Sequence, residues 1–357
     1  MTNWYTSRES VKRAAGINGA AKDTIIDGHI EAASRAIDHE LGLREGCFIP
    51  ETKIRYFNWP QDPDVSLENR KAILYLDEGL ISVSSITSEN GDVTLVSGDY
   101  LLEPVNEGPP YQRIEIDKSA VTTTAAFAAG DTTQRAIAVT GSWGYKATTK
   151  AAGALAEADD GSETALDITD ASLIDVGDTL LIGTEQLFVT AKTALDTTAN
   201  TAGALVASAS ETTVPVNTGT LVLAGEVILI DSERMLVESI SGNNLTVIRA
   251  YDGSTLAAHS NPSDVYAFRT LTVTRAENGT TAASHSTAAA ITKYAPPLPV
   301  QQLCRALTLA AFEGDQSGWT GQIAGGEAGI ILTRPSPVEA LWEKVRRDYG
   351  RPLARTL

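Results

Sequence analysis

Cysteine, methionine and histidine are scarce in this chain of 357 residues: two, two and four respectively. Cys47 and Cys304 supply neither a disulfide framework nor a four-ligand zinc site, and both sit among apolar neighbours, as core residues do. No apolar run is long enough to span a bilayer, and the start, MTNWYTSRESVKR, has no apolar stretch after its charges. No membrane contact and no secretory signal are expected; synthesis in the cytosol is. Positive charge is short as well: 28 Lys and Arg stand against 45 Asp and Glu, a net charge of −17. That balance excludes a protein that wraps nucleic acid through its phosphates.

Catalytic motifs are just as thin. There is no HExxH, CxxC, GxSxG or glycine-rich nucleotide fingerprint, and GDQSGWTGQIAGGEAG lacks the Gly-Lys-Ser/Thr of a phosphate loop. His29 and His39 lie ten residues apart on one helical segment, about 80° apart around its axis and so on different faces. Asp159-Asp160 reads as solvated linker, and Tyr56, Phe57 and Trp59 as core and edge packing. The expectation is no catalytic residue, no cofactor and no metal.

What is present has a clear order. Ile26, Ile30, Ala33, Ile37 and Leu41 recur every three or four residues, predicting a helix from Asp23 that stops at Gly42. A shorter helix, from Ser7 to Ala15, precedes it. Strand signals follow in KIRYFNW, AILYLDE, ISVSSITSE, VTLVSGDYLLE, RIEID and RAIAVTGSWGY, with a hairpin turn at Asn90-Gly91. From about Thr148 the texture shifts to Ala, Thr, Gly, Asp and short apolar strands, and at Pro296-Pro297 it shifts back. Val300, Leu303, Leu307 and Ala311 predict one more helix. Ser336-Pro337-Val338-Glu339 predicts the start of another, which Gly350 ends. Charge follows the same division. Residues 151–294 hold 18 acidic and 6 basic side chains, net −12, whereas 343–357 hold 5 basic and 2 acidic, net +3. A basic tail on an acidic body points to an acidic partner for the tail.

The middle region repeats itself. Residues 163–191 align without gaps on 211–239 with eight identities in 29 positions, each copy reading as a hairpin. LTVIRAYDGSTLAAHS (245–260) aligns on LTVTRAENGTTAASHS (271–286) with ten identities in 16. The order along the chain implies two similar β units, the inner one (211–268) nested within the outer one (163–191 with 270–294). Asp252, Gly253 and His259 in one copy match Asn278, Gly279 and His285 in the other. A catalytic site seldom needs one His per repeat, whereas a turn does, so these six residues, with the repeat Arg and with Glu185 and Glu233, are read as structural. Gly253 and Gly279 are expected at positive φ.

Without the insertion, residues 1–148 joined to 295–357 resemble the head–tail connector (adaptor) proteins of long-tailed bacteriophages, over about 210 of the 357 residues. The resemblance rests on YTSRESVKRAAGINGAAKDTIIDGHIEAASRAIDHELG, YLDEGLISVSSITSENGDVTLVSGDYLLEP, AIAVTGSWGY and PPLPVQQLCRALTLAAF. Typical small connectors lack the insertion. The resemblance implies an α+β fold with a helical connector core and a small β layer, here interrupted by an all-β module. The implied domains are 1–148, 149–294 and 295–357. The resemblance also implies a homo-oligomeric ring, usually of twelve copies, in the virion. It would dock beneath the portal protein, meet tail-side connector or tail terminator proteins, and let DNA pass through its lumen without specific binding. In that family the C-terminal segment reaches into the portal, which makes Arg346, Arg347, Tyr349, Arg351, Arg355 and Leu357 the docking candidates.

Two rival readings stand beside it. One is another tail or baseplate β protein whose nested units bind a receptor or glycan. It needs exposed aromatics on the insertion, where the sequence has Phe188, Tyr251, Tyr266, Phe268 and Tyr294. The other is a hydrolase using Asp and His of the repeats.

Overall fold

The computed structural model describes residues 3–61, 73–117, 119, 121, 125–316 and 337–350. By contacts the chain forms two compact units. One is Gly42–Thr148 with Asn278–Thr280; the other is Met1–Leu41, Thr149–Glu277 and Thr281–Leu357.

The first of these is a six-stranded antiparallel sheet: β1 (Glu51–Phe57), β2 (Ile73–Ser88), β3 (Val93–Leu95), β4 (Tyr100–Glu103), β5 (Tyr111–Ile116) and β6 (Ile137–Trp143). Its order is β1-β6-β2-β5-β4, with β3 on β2. Along β6 every second residue from Ile137 to Trp143 is buried, the period of two that lets one face carry the core. That core gathers Phe57, Leu74, Leu80, Ile86, Ile114, Phe127, Val139 and Trp143. AILYLDE and ISVSSITSE, read as two strands, are one strand, β2, whose register against its neighbours shifts near Leu80 and near Val83. Bulges of this kind let a strand stay paired while it bends. VTLVSGDYLLE, read as one strand, is broken into β3 and β4. The Asp99 carboxylate accepts the Val96 N–H at 2.9 Å and closes a turn there.

The other unit holds four helices and the repeats. α1 (Arg8–Ala15) is capped by the Ser7 hydroxyl, which accepts the Ser10 N–H at 3.3 Å, and ends at Gly16 in the left-handed region. α2 (Asp23–Glu40) buries Ile26, Ile30, Ala33 and Ile37. α3 (Leu298–Gln316) buries Val300, Leu303, Cys304 and Phe312 and packs on α2, where Ser34 Oγ lies 3.4 Å from Cys304 Sγ. α4 (Pro337–Tyr349) packs on α3 and buries Val345. Ser336, read as its N-cap, lies outside the described residues.

Ten strands complete the unit: β7 (Thr149–Ala154), β8 (Ala165–Asp167), β9 (Thr179–Ile182), β10 (Glu185–Asn200), β11 (Thr213–Pro215), β12 (Val227–Ile230), β13 (Glu233–Ser241), β14 (Asn244–Ile248), β15 (Asp264–Thr274) and β16 (Ala290–Tyr294). Their order is β11-β14-β13-β12-β15-β10-β9-β16-β7, with β8 on β15. The list contains one six-strand path twice. The outer unit runs β8-β15-β10-β9-β16-β7 and the inner unit β11-β14-β13-β12-β15-β10. The long strands β10 and β15 serve both, one half each. In the inner unit Ile240 lies opposite Leu245 and Ser241 opposite Asn244, closed by the turn Gly242-Asn243. At the equivalent place in the outer unit Lys192 lies opposite Leu271 and Thr193 opposite Thr270, and there the hairpin is open. The whole inner unit is spliced in where a two-residue turn would be. The outer unit closes on itself where Thr149 pairs with Tyr294.

Each unit has its own core, and the cores correspond. Leu166, Ile168, Ile174, Leu180, Ile182, Leu187, Val189, Leu271, Val273 and Ile291 fill the outer one. Val214, Val216, Val222, Ile228, Ile230, Met235, Val237, Leu245, Val247 and Val265 take the same ten places in the inner one.

The expected α+β fold with a helical connector core is corrected by this architecture. The protein is mostly β, with 16 strands in two large antiparallel sheets and four short helices among the described residues. The longest helix has 19 residues and the shortest eight. Period-two segments dominate both 42–148 and 149–294, and the sheet cores draw their apolar residues from those segments.

Candidate functional site

The repeat residues converge on two buried ionic clamps. In the inner unit, Glu233 opens β13 and Arg249 follows β14. Arg249 Nε donates to Glu233 Oε1 at 2.8 Å and Nη2 to Oε2 at 2.9 Å, the two-pronged geometry that suits a guanidinium and a carboxylate. The same carboxylate accepts the Ala250 N–H at 2.8 Å and the Ala257 N–H at 3.0 Å, and His259 Nε2 lies 2.9 Å from it. Asp231 holds the other His259 nitrogen at 2.7 Å. In the outer unit, Arg275 meets Glu185 at 3.0 and 2.7 Å, with the Ala276 and Ala283 N–H groups and His285 Nε2 at 3.2, 3.1 and 3.0 Å. Asp159 joins this copy through Arg275. Both glutamates are fully buried. Burial alone would raise the Glu233 pKa; Arg249, His259 and the two backbone donors outweigh it and hold it at about 2. Glu185 is lowered in the same way.

The loops spanned by the clamps carry the predicted turn residues. Ala250, Asp252 and Gly253 have φ of 51, 51 and 72°, and Ala276, Asn278 and Gly279 have 56, 52 and 73°. A Cβ on Gly279 would fall 2.1 Å from the Thr52 carbonyl oxygen, whereas one on Gly253 would keep 3.3 Å from Asn18 and Gly19. Asp252 ties its loop to the α1–α2 turn: it accepts the Gly19 N–H at 3.0 Å and meets Lys12 at 3.1 Å and Arg234 at 2.7 Å.

Of the docking candidates, Arg346 reaches Glu40 on α2 at 2.6 Å and stacks over Trp342. Arg347 is 74% exposed and, among the described residues, meets its neighbour Asp348. Tyr349 ends α4, half-buried. Arg351, Arg355 and Leu357 lie outside the described residues. Among the insertion aromatics, Phe188 and Tyr294 are buried, Tyr266 is half-buried, and Tyr251 and Phe268 line a cleft.

That cleft, of about 620 Å³, lies between α1 with its following turn and the outward face of the inner unit. Its floor is Val227, Leu236, Phe268 and Tyr251, and its rim mixes Glu9, Asp23, Asp175 and Asp252 with Arg8, Lys12, Arg13, Lys192 and Arg234. Two carboxyls on the rim are pushed apart. Burial, the nearby Asp175 charge adding to it, raises Glu9 to about 7 although Val176 donates its N–H at 2.9 Å. Asp175, which burial would raise, is lowered by the Arg13 guanidinium at 2.9 Å. Spacing carried no signal of this site. Glu9, Lys192 and Arg234 come from three distant stretches, and each reads singly as an ordinary surface charge. Among the described residues no group of three or more His, Cys, Asp or Glu side chains is placed to hold a metal ion.

Comparison of the chain with family models, with curated proteins and with solved structures gives no match. In both clamps the buried glutamate is saturated by an arginine, a histidine and two backbone donors, which suits holding a loop. The cleft has open cationic groups over an apolar floor, which suits binding.

Proposed function

We propose that the chain is a structural protein of a phage virion, forming an oligomeric ring of about twelve copies that joins the portal to the tail and lets DNA pass. Portal protein on one side and tail-side proteins on the other are its partners, at the head–tail interface. The observation that supports this reading is the meeting of both chain ends in one helical layer. α1 and α2 pack with α3, and α3 carries α4, whose outer surface bears the exposed cations Lys344 and Arg347. Exposed cations on a terminal helix held this way, set against an acidic body, give the polarity that docking to an acidic portal surface requires. The overall negative charge suits a conduit that must not hold DNA.

The mostly-β architecture favours a second reading, a tail or baseplate component that binds through its nested units. Negative-stain electron microscopy of the purified protein, alone and with portal protein, separates the two. Closed rings that cap the portal, lost on deleting 350–357 without change in melting temperature, support the connector. Monomers or trimers indifferent to portal would replace it with the second reading.

A further inference from the structure

The two six-strand units differ at one matched place on their outward faces. In the outer unit that place is filled by the chain itself. The Trp4 ring meets Phe188 edge-on, with centroids 5.3 Å apart and planes at 79°, and a Cβ on Gly177 would fall 2.2 Å from Trp4 Cε3. The equivalent residues of the inner unit are Leu236 for Phe188 and Gly225 for Gly177, and both line the cleft. Within 4 Å of a Cβ built on Gly225 lies only the Ser172 side chain, with no ring. Phe268 takes the place of Tyr294 and Arg234 that of Gln186, so the unfilled copy gains a cation beside its apolar floor.

Among the carboxylates of the rim stand further cations. Arg234 lies over the Phe268 ring at 5.0 Å and gives one nitrogen, Nη1, to Asp252. Arg13 gives Nη2 to Asp175 and is 56% exposed. Lys192 Nζ donates to the Ala171 and Ile174 carbonyls at 2.7 and 2.6 Å. Among the described residues no carboxylate lies within ion-pair distance of it. The remaining Arg13 and Arg234 donors face a cleft large enough for an indole ring and its flanking residues.

We propose that this cleft docks an acidic peptide segment of a partner protein. An aromatic side chain of that segment takes, on the inner unit, the place that Trp4 takes on the outer one. The ring packs on Leu236, Val227 and Phe268 against the open backbone at Gly225, and flanking carboxylates meet Arg13 and Arg234. Aromatic anchors set in a pocket with charged neighbours are the usual centre of such contacts. The proposal stands apart from the portal-to-tail reading.

The test is calorimetric titration of the full chain with three blocked tripeptides: acetyl-Glu-Trp-Glu-amide, acetyl-Gln-Trp-Gln-amide and acetyl-Glu-Ala-Glu-amide. The first is expected to saturate at millimolar concentration, the second to bind at least about fivefold more weakly, and the third not to saturate. Arg234→Gln, which installs the residue of the outer unit, and Arg13→Gln, at an exposed position, should each weaken the first peptide about fivefold with melting temperature unchanged. Failure of the first peptide to saturate overturns the proposal. So does equal binding of either control peptide, or unchanged affinity in both variants.

Discussion

At the scale of single residues, the two clamps make a sharp claim about which side chain matters most. Glu233 satisfies a buried arginine, a histidine and two backbone donors at once. Glu233→Ala leaves the buried Arg249 with only the Glu211 carboxylate, 3.8 Å away, as counter-charge and should cost roughly 3–5 kcal/mol in chemical denaturation. His259→Ala removes one neighbour of an otherwise satisfied carboxylate and should cost about 1–2 kcal/mol. Equal losses would mean the histidine holds the loop. The carboxyls also set opposite pH responses. Glu233 ionises more easily folded than unfolded, so its contribution is full above its ordinary 4.5 and is lost as pH falls toward 2. Glu9 ionises less easily folded than unfolded, so the fold loses stability as pH rises from 4.5 to about 7. Glu9→Gln should flatten that upper slope and leave the acid limb alone. A denaturation series from pH 5 to 8 with the same slope in both proteins would remove Glu9 from the account.

Elements explain what the sequence could and could not reveal. Period-three-to-four apolar spacing locates α2, and period-two alternation with turn residues locates the hairpins, because both depend only on near neighbours. The break of VTLVSGDYLLE depends on one carboxylate, Asp99, and the fusion of two expected strands into β2 depends on bulges against β5 and β6; neither has a local signature. The clamps were half legible. Repetition singled out Glu, Arg and His, but Glu185 and Arg275 stand 90 residues apart and only the sheet brings them together. The helical-core expectation failed because helix signals at both ends are strong and distinct, while strand signals are many and individually weak. Turn geometry gives a differential test. Gly279→Ala pushes a methyl into the Thr52 carbonyl, while Gly253→Ala meets only a tight contact at a similar φ. The first should destabilise the fold more than the second, by a margin of roughly 1–3 kcal/mol in chemical denaturation. Splicing gives another. Replacing 194–269 by Gly-Asn recreates in the outer hairpin the turn that closes the inner one, and all six outer strands remain. The shortened chain should unfold in one cooperative transition with its β circular dichroism retained; a molten or aggregated product would show that the outer unit leans on the inner one.

For the whole molecule, charge and nesting each have a consequence. A body of net charge −17 should leave the gel mobility of duplex DNA unchanged even at low salt, about 50 mM, where phosphate contacts are strongest; a retarded band would contradict a lumen that lets DNA slide. Nesting governs the order in which the chain can fold as it leaves the ribosome. The inner unit closes within one continuous stretch, its clamp joining residues only 16 apart. The outer clamp spans 90, and the closing strand β16 is made after everything it encloses. Short-range contacts form first, and loop closure over longer stretches costs more entropy. The inner unit is thus complete while the β9–β10 hairpin still waits for the second half of β15 and for β16. Its own first and last strands, lying side by side, then carry the two halves of the outer hairpin into register. The unit that is enclosed in the architecture thus acts first in synthesis, as the template on which the enclosing half is assembled.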